Sequence, residues 1–217
     1  MSTLYVVATP IGNLEDMTFR AVRVLKEVDV ILCEDTRVTK RLLDKYEITA
    51  KQIATYNEED SGVAVEKIVH WLEEGKNLAL VSDAGTPGIS DPGSFLVQKV
   101  RELLPDAKIE SVPGPSALTA ALSIAGVPVH DFVFLGFLPH KKGRETLFKE
   151  IAGLERTAVF YESPHRIIKA LESLQKFAPT KKVVIARELT KMFEQIVSGT
   201  PAELLEYFSK NPSKSPF

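Results

Sequence analysis

The sequence predicts an α/β fold of two domains: a parallel-sheet N-terminal domain over residues 1–112 and a mixed-sheet C-terminal domain over residues 113–217. Three observations lead there. Short apolar runs rich in β-branched residues alternate with segments of helical periodicity, the pattern of strands joined by crossover helices. Glycine- and proline-rich loops follow several of these runs, where an open parallel sheet builds its ligand crevice. Two domains of about 110 residues fit the length, and Val112-Pro113-Gly114-Pro115 interrupts regular structure between them.

Each element has its own signal. Leu4–Ala8 reads as a buried strand, and Thr18 opens a helix with Phe19, Val22, Leu25 and Val28 on one face. Val30–Cys33 is the next strand and Val38–Tyr46 a helix. Gly62–Glu74 is a helix turning Val65, Ile68, Val69 and Leu72 inward, with Gly75 at its C-cap. Asn77–Val81 and Ile109–Val112 are strands, flanking a helix over Phe95–Leu104 that Pro105 ends. In the second half, Ser116–Ala125, Arg144–Ala152, Pro164–Phe177 and Pro201–Tyr207 read as helices. Phe132–Phe137, Thr157–Tyr161, Lys182–Arg187 and Glu194–Ser198 read as strands, some close enough in sequence to mix both directions in one sheet.

Composition narrows the function classes. Hydrophobic residues at 44% and charged residues at 26% are ordinary globular values, which argues against a disordered or collagen-like chain. No apolar run nears the roughly 18 residues needed to span a bilayer, so no membrane partner is expected. The N-terminus lacks a basic segment, so no signal peptide is expected, and the single cysteine, Cys33, is expected in a core within a reducing cytoplasm. The net charge of −2 conceals polarity: residues 1–112 hold 13 basic against 19 acidic side chains, residues 113–217 hold 14 against 10. A basic second half suits a polyanionic partner.

Three loops stand out: Ala8-Thr9-Pro10-Ile11-Gly12-Asn13-Leu14, Ser82 to Gly93, and Val112-Pro113-Gly114-Pro115-Ser116-Ala117. The second packs three glycines, two prolines and two aspartates into twelve residues, which is costly in chain entropy unless it serves a ligand. Glycines let backbone groups approach that ligand, and Asp83 can accept from hydroxyls or an amine. None of the loops is a dinucleotide fingerprint or a P-loop, and no Cys/His cluster is spaced to hold a metal. Glu34-Asp35-Thr36-Arg37 follows a strand and reads equally as a solvated helix start or as part of the crevice. His165 reads more readily as a surface or capping residue than as a base. Arg187 and Lys191 suit phosphate, Glu188 suits a proton or a ribose, and His140-Lys141-Lys142-Gly143-Arg144 forms a basic turn.

Taken together these segments resemble the tetrapyrrole methylase superfamily of S-adenosylmethionine-dependent methyltransferases, most closely its ribosomal RNA branch. Carrying the resemblance are Thr9 to Leu14, Glu34 to Arg37, Ser82 to Gly93, Val112 to Ala117, Phe134 to Pro139, Tyr161-Glu162-Ser163-Pro164-His165-Arg166 and Arg187-Glu188-Leu189-Thr190-Lys191. It implies 2′-O-methylation of a cytidine in small-subunit ribosomal RNA, within the assembled subunit, by a homodimer. It implies donor contacts at Pro10, Ile11, Ser82, Asp83, Ala84, Ile89, Ser116, Ala117, Tyr161, Glu162 and Leu189. Glu188, Glu34 or Asp35 is expected as the base, with Lys191, Arg187 or Arg37 holding backbone phosphate. Lys141, Lys142, Arg144, His165, Arg166 and Arg187 are expected to meet RNA. Two alternatives stay open: methylation of a corrin or porphyrin precursor, and donor or RNA binding without turnover. Members of the branch are expected to continue with a further strand and a small helical domain, whereas Asn211 to Phe217 reads as a linker.

Overall fold

The computed structural model describes residues 2–57 and 61–210; the linker-like run from Asn211 lies outside the described residues. The chain divides into two compact units, Met1–Ala117 and Leu118–Phe217.

In the N-terminal unit, β1 (Thr3–Val7), β2 (Val30–Cys33), β3 (Ile53–Thr55), β4 (Leu78–Val81) and β5 (Lys108–Val112) form one sheet. Their order is β3-β2-β4-β1-β5, and every pairing is parallel. Strand residues alternate between two cores, as a period of two requires. Val7, Ile31, Cys33, Val81 and Val112 pack under α1 (Phe19–Glu27) and α2 (Thr36–Lys45). Leu4, Val30, Leu32, Leu78 and Leu80 pack under α3 (Ser61–Glu73) and α4 (Ser94–Leu103). Neighbouring strands β1 and β4 therefore send their chains to opposite faces of the sheet, which opens a crevice beyond their C-terminal ends.

The helix starts follow the sequence signals. Thr18 caps α1 by accepting from the Ala21 N–H at 3.1 Å, and Asp35 caps α2 by accepting from the Arg37 N–H at 2.8 Å. Gly75, at φ +84°, turns the chain out of α3 and donates to the Leu72 carbonyl. Cys33 is buried, as expected. Phe19 corrects an expectation: it does not share the buried face of α1 but is 96% exposed, because it follows the cap directly and extends off the end of the helix.

In the C-terminal unit, α5 (Ala117–Ile124) begins at the division and leads to β6 (Phe132–Phe137) and α6 (Arg144–Gly153). β7 (Thr157–Tyr161), α7 (Ile167–Phe177), β8 (Val183–Arg187), β9 (Gln195–Gly199) and α8 (Pro201–Lys210) follow. β6 and β7 run parallel, β8 and β9 antiparallel, so both strand directions occur here. Its core is Leu138, Phe148 and Ile151 against Leu171, Leu174, Leu204 and Phe208 of α7 and α8.

Candidate active site

Loops of the N-terminal unit knit together beyond the strand ends. Thr9 and Gly85 exchange two backbone hydrogen bonds, Thr9 N–H to the Gly85 carbonyl at 2.9 Å and Gly85 N–H to the Thr9 carbonyl at 3.0 Å. The buried Thr9 hydroxyl donates to the Ser82 carbonyl at 2.9 Å, and the Thr86 hydroxyl donates to the Pro115 carbonyl at 3.2 Å. The Ser82 hydroxyl accepts from the Ala84 N–H at 3.2 Å. Two glycines make this close approach possible. A Cβ on Gly93, where φ is +135°, would stand 2.8 Å from Leu80 Cδ2, and one on Gly114 would stand 3.1 Å from Ala8 Cβ. Pro10, Ile11, Ser82, Asp83, Ala84, Ile89, Ser116 and Ala117 thus all belong to segments that leave the same edge of one sheet.

Asp83 and Asp35 sit side by side there. Asp83 Oδ1 accepts from the Asp35 N–H at 3.2 Å. Burial pushes the Asp83 carboxyl above its ordinary range, outweighing that hydrogen bond. Asp35 is held down to about 2, chiefly by the Arg37 side chain, whose guanidinium lies 2.6 Å from its carboxylate. Asp35 is therefore already engaged, as helix cap and as ion-pair partner, while Glu34 follows β2 half-buried beside it.

The C-terminal unit carries the other expected residues. Tyr161 ends β7 with its ring 5.0 Å from Phe134 and 5.3 Å from Phe137, and burial raises its phenol. Its carbonyl accepts from the Leu138 N–H. Glu162 is enclosed, its side chain 2% exposed, with Arg144 Nη2 at 2.9 Å and Arg166 Nη2 at 2.5 Å. Arg144 and Arg166, expected to face RNA, are thus turned inward onto a carboxylate. Lys141, Lys142 and His165 are exposed. Lys191 Nζ lies 3.1 Å from Glu188 Oε1, both on the hairpin between β8 and β9, with Arg187 and Leu189 half-buried beside them. Glu188 at φ +50° and Thr190 at φ +67° hold that hairpin in a left-handed conformation that non-glycine residues seldom adopt.

The sequence did not single out Thr9 and Thr86, and it did not show that Arg144, Glu162 and Arg166 pair with one another. The hydroxyls had a signal, since each stands in a loop directly after a strand or a glycine. Of the ion cluster only the Glu162–Arg166 pair, four residues apart, had a local signal; Arg144 lies 18 residues before Glu162 and meets it only in the fold. Among the described residues, no group of three or more His, Cys, Asp or Glu side chains is placed to hold a metal ion, and no helix is long and apolar enough to cross a membrane.

A doubly wound parallel sheet with glycine-bearing loops at its switch point, followed by a second α/β unit, defines a ligand-binding α/β enzyme. The profile of the Tetrapyrrole (Corrin/Porphyrin) Methylases matches residues 3–205, and the chain belongs to that family. It is a methyltransferase. A relative from Thermotoga maritima named Ribosomal RNA small subunit methyltransferase I is 45% identical over 211 residues, 97% of this chain and 93% of the relative. One from Bacillus subtilis with the same name is 40% identical over 220 residues, all of this chain and 74% of the relative. Solved structures agree on the fold. The methyltransferase CobJ superposes with a TM-score of 0.68 at 21% identity, covering 94% of this chain and 88% of that one. Cobalt precorrin-4 methyltransferase superposes with 0.65 at 20% identity, covering 97% and 90%.

Proposed function

We propose that this chain transfers a methyl group from S-adenosylmethionine to the 2′-hydroxyl of a cytidine in small-subunit ribosomal RNA. The observation that carries the reading is near-complete coverage, at 45% identity, of a relative named for small-subunit ribosomal RNA methylation. The solved neighbours, near 20% identity, bear on the fold alone.

The N-terminal crevice suits the donor. Asp83 is partly desolvated and gives one lone pair to the Asp35 N–H, which leaves capacity for an ammonium group or ribose hydroxyls. When bound, the donor supplies a methyl group on a positively charged sulfur that leaves readily. The protein's task is then to orient the ribose hydroxyl in line and to receive its proton. Asp35 is a poor candidate for the base, since a group held at about 2 gives little driving force for taking a proton. Glu34 and Glu188 remain, and the strained backbone of Glu188 beside Lys191 favours the latter. Lys141, Lys142 and Lys191 are exposed, which supports a role in meeting phosphate. We further propose that the enzyme acts in the cytoplasm on the assembled subunit and works as a homodimer. Helix α5, mostly apolar yet with no buried residue, supports an additional covering surface.

Incubation with methyl-labelled donor and either unmodified small ribosomal subunits or uroporphyrinogen tests the reading. Label in the RNA is the expected result. Label in the tetrapyrrole overturns it, and donor binding by calorimetry without label in either substrate marks a protein that binds without turnover.

A further inference from the structure

Among the ion-paired side chains of the described residues, Glu162 is the most enclosed, and both its partners are largely buried, Arg144 at 15% and Arg166 at 18% exposure. Stability alone does not account for such a cluster, because apolar side chains in place of a buried ion triad are often neutral or stabilising. Its geometry points elsewhere. Each guanidinium divides itself between the Glu162 carboxylate and a main-chain carbonyl just after β6. Arg144 Nη1 donates to the Pro139 carbonyl at 3.1 Å, and Arg166 Nη1 to the Leu138 carbonyl at 3.2 Å. Arg144 also lies over the buried Phe148 ring, 5.2 Å from its centroid, and the Ser163 N–H donates to Glu162 Oε1 at 2.9 Å. The segment after β6 is thereby strapped to the segment after β7.

That strapped segment is the basic turn. Arg144 N–H donates back to the Lys141 carbonyl at 3.3 Å, Gly143 takes φ +81°, and the Lys141 and Lys142 side chains are exposed. Two arginines against one glutamate also leave a net positive charge behind the two lysines, which reinforces their field toward an anion.

We propose that Glu162 is a positioning residue: through Arg144 and Arg166 it locks the turn His140–Gly143, so that Lys141 and Lys142 meet RNA phosphate from a fixed backbone. The proposal rests on the ribosomal RNA reading above. It adds that the charge doing the recognition, on the exposed Lys141 and Lys142, and charge doing the positioning, on the enclosed Arg144, sit within one turn.

The salt dependence of binding to unmodified small subunits reads this out. Each lysine that neutralises a phosphate contributes about 0.7–0.9 to the slope of log affinity against log salt concentration, so K141A/K142A is expected to lower the slope by about 1.4–1.8. E162Q removes no lysine and makes the protein more basic; a pure charge effect would strengthen binding. The lock predicts the reverse: E162Q lowers affinity about tenfold, reduces the slope by a similar amount, and adds nothing further to K141A/K142A in the triple variant. R166K keeps the charge but loses the fork that spans Glu162 and Leu138, and it is expected to behave as E162Q does; it serves as the test if E162Q does not fold. A wild-type slope in folded E162Q or R166K, or losses that add fully in the combined variants, overturns the proposal. Wild-type protein that does not bind subunits at all refutes the ribosomal RNA reading itself, and the lock falls with it.

Discussion

In the N-terminal unit the functional loops are joined by main-chain bridges and hydroxyls: Thr9 with Gly85, Thr9 with Ser82, Thr86 with Pro115. In the C-terminal unit the loops after β6 and β7 are joined by an enclosed carboxylate and two guanidinium groups. The first arrangement needs glycine where backbones approach and loses one modest interaction at a time. The second concentrates its hold in one side chain, whose loss strands two partly buried positive charges. Under the proposed function the difference would match two kinds of ligand. A small donor would be gripped by backbone groups at short range, and a polyanion would be met by surface lysines on a stiff, positively charged base.

Substitutions can break or sharpen this contrast. The largest effect is expected from Glu162→Ala, which leaves Arg144 and Arg166 uncompensated and should cost about 3–5 kcal/mol in urea denaturation; a loss below about 1 kcal/mol would mean the two units are held alike. Next comes Gly93→Ala, where a left-handed backbone and a Cβ 2.8 Å from the buried Leu80 should together cost about 2 kcal/mol by the same measurement. Thr9→Val removes a single buried hydroxyl donor and leaves the Ser82 carbonyl short of one partner, at about 1–2 kcal/mol.

The smallest effect is a pH dependence in the N-terminal unit. Asp35 has its carboxyl lowered from 3.8 to about 2 in the fold, so its ionised form is favoured by the folded state. Its contribution is whole above about pH 4 and is lost as pH falls through 2. Asp35→Asn keeps a capable helix cap, so comparing its stability with wild type between pH 2 and 6 isolates the Arg37 clamp. The difference should shrink steadily toward the acid end; a constant difference would point to a lost cap alone.

Much of this architecture was legible in the sequence because it depends on local rules. Continuous apolar runs in Leu4–Ala8 and Val30–Cys33, caps at Thr18 and Gly75, and glycines after strand ends all act within a few residues of themselves. β3 was not legible: Ile53-Ala54-Thr55 is too short for periodicity and is a strand only because β2 offers it a partner. Phe19 was misplaced because helical spacing assigns a face but not where the helix begins to touch its neighbours. The crevice loops announced themselves through glycine and proline, yet their residue roles rest on proposal. Charge was the least legible property. Arg144 and Arg166 look like solvent-facing neighbours of Lys141 and His165 along the chain; Arg166 reaches Glu162 across four residues, but only tertiary packing brings Arg144 onto the same carboxylate.

The most direct test of the central claim is to map 2′-O-methylation along small-subunit ribosomal RNA after adding this protein and S-adenosylmethionine to unmodified subunits. One cytidine newly resistant to alkaline cleavage at its 3′ side is the predicted result. Ribosomal RNA that acquires no such position, from protein shown to be folded and to bind the donor, would contradict the account.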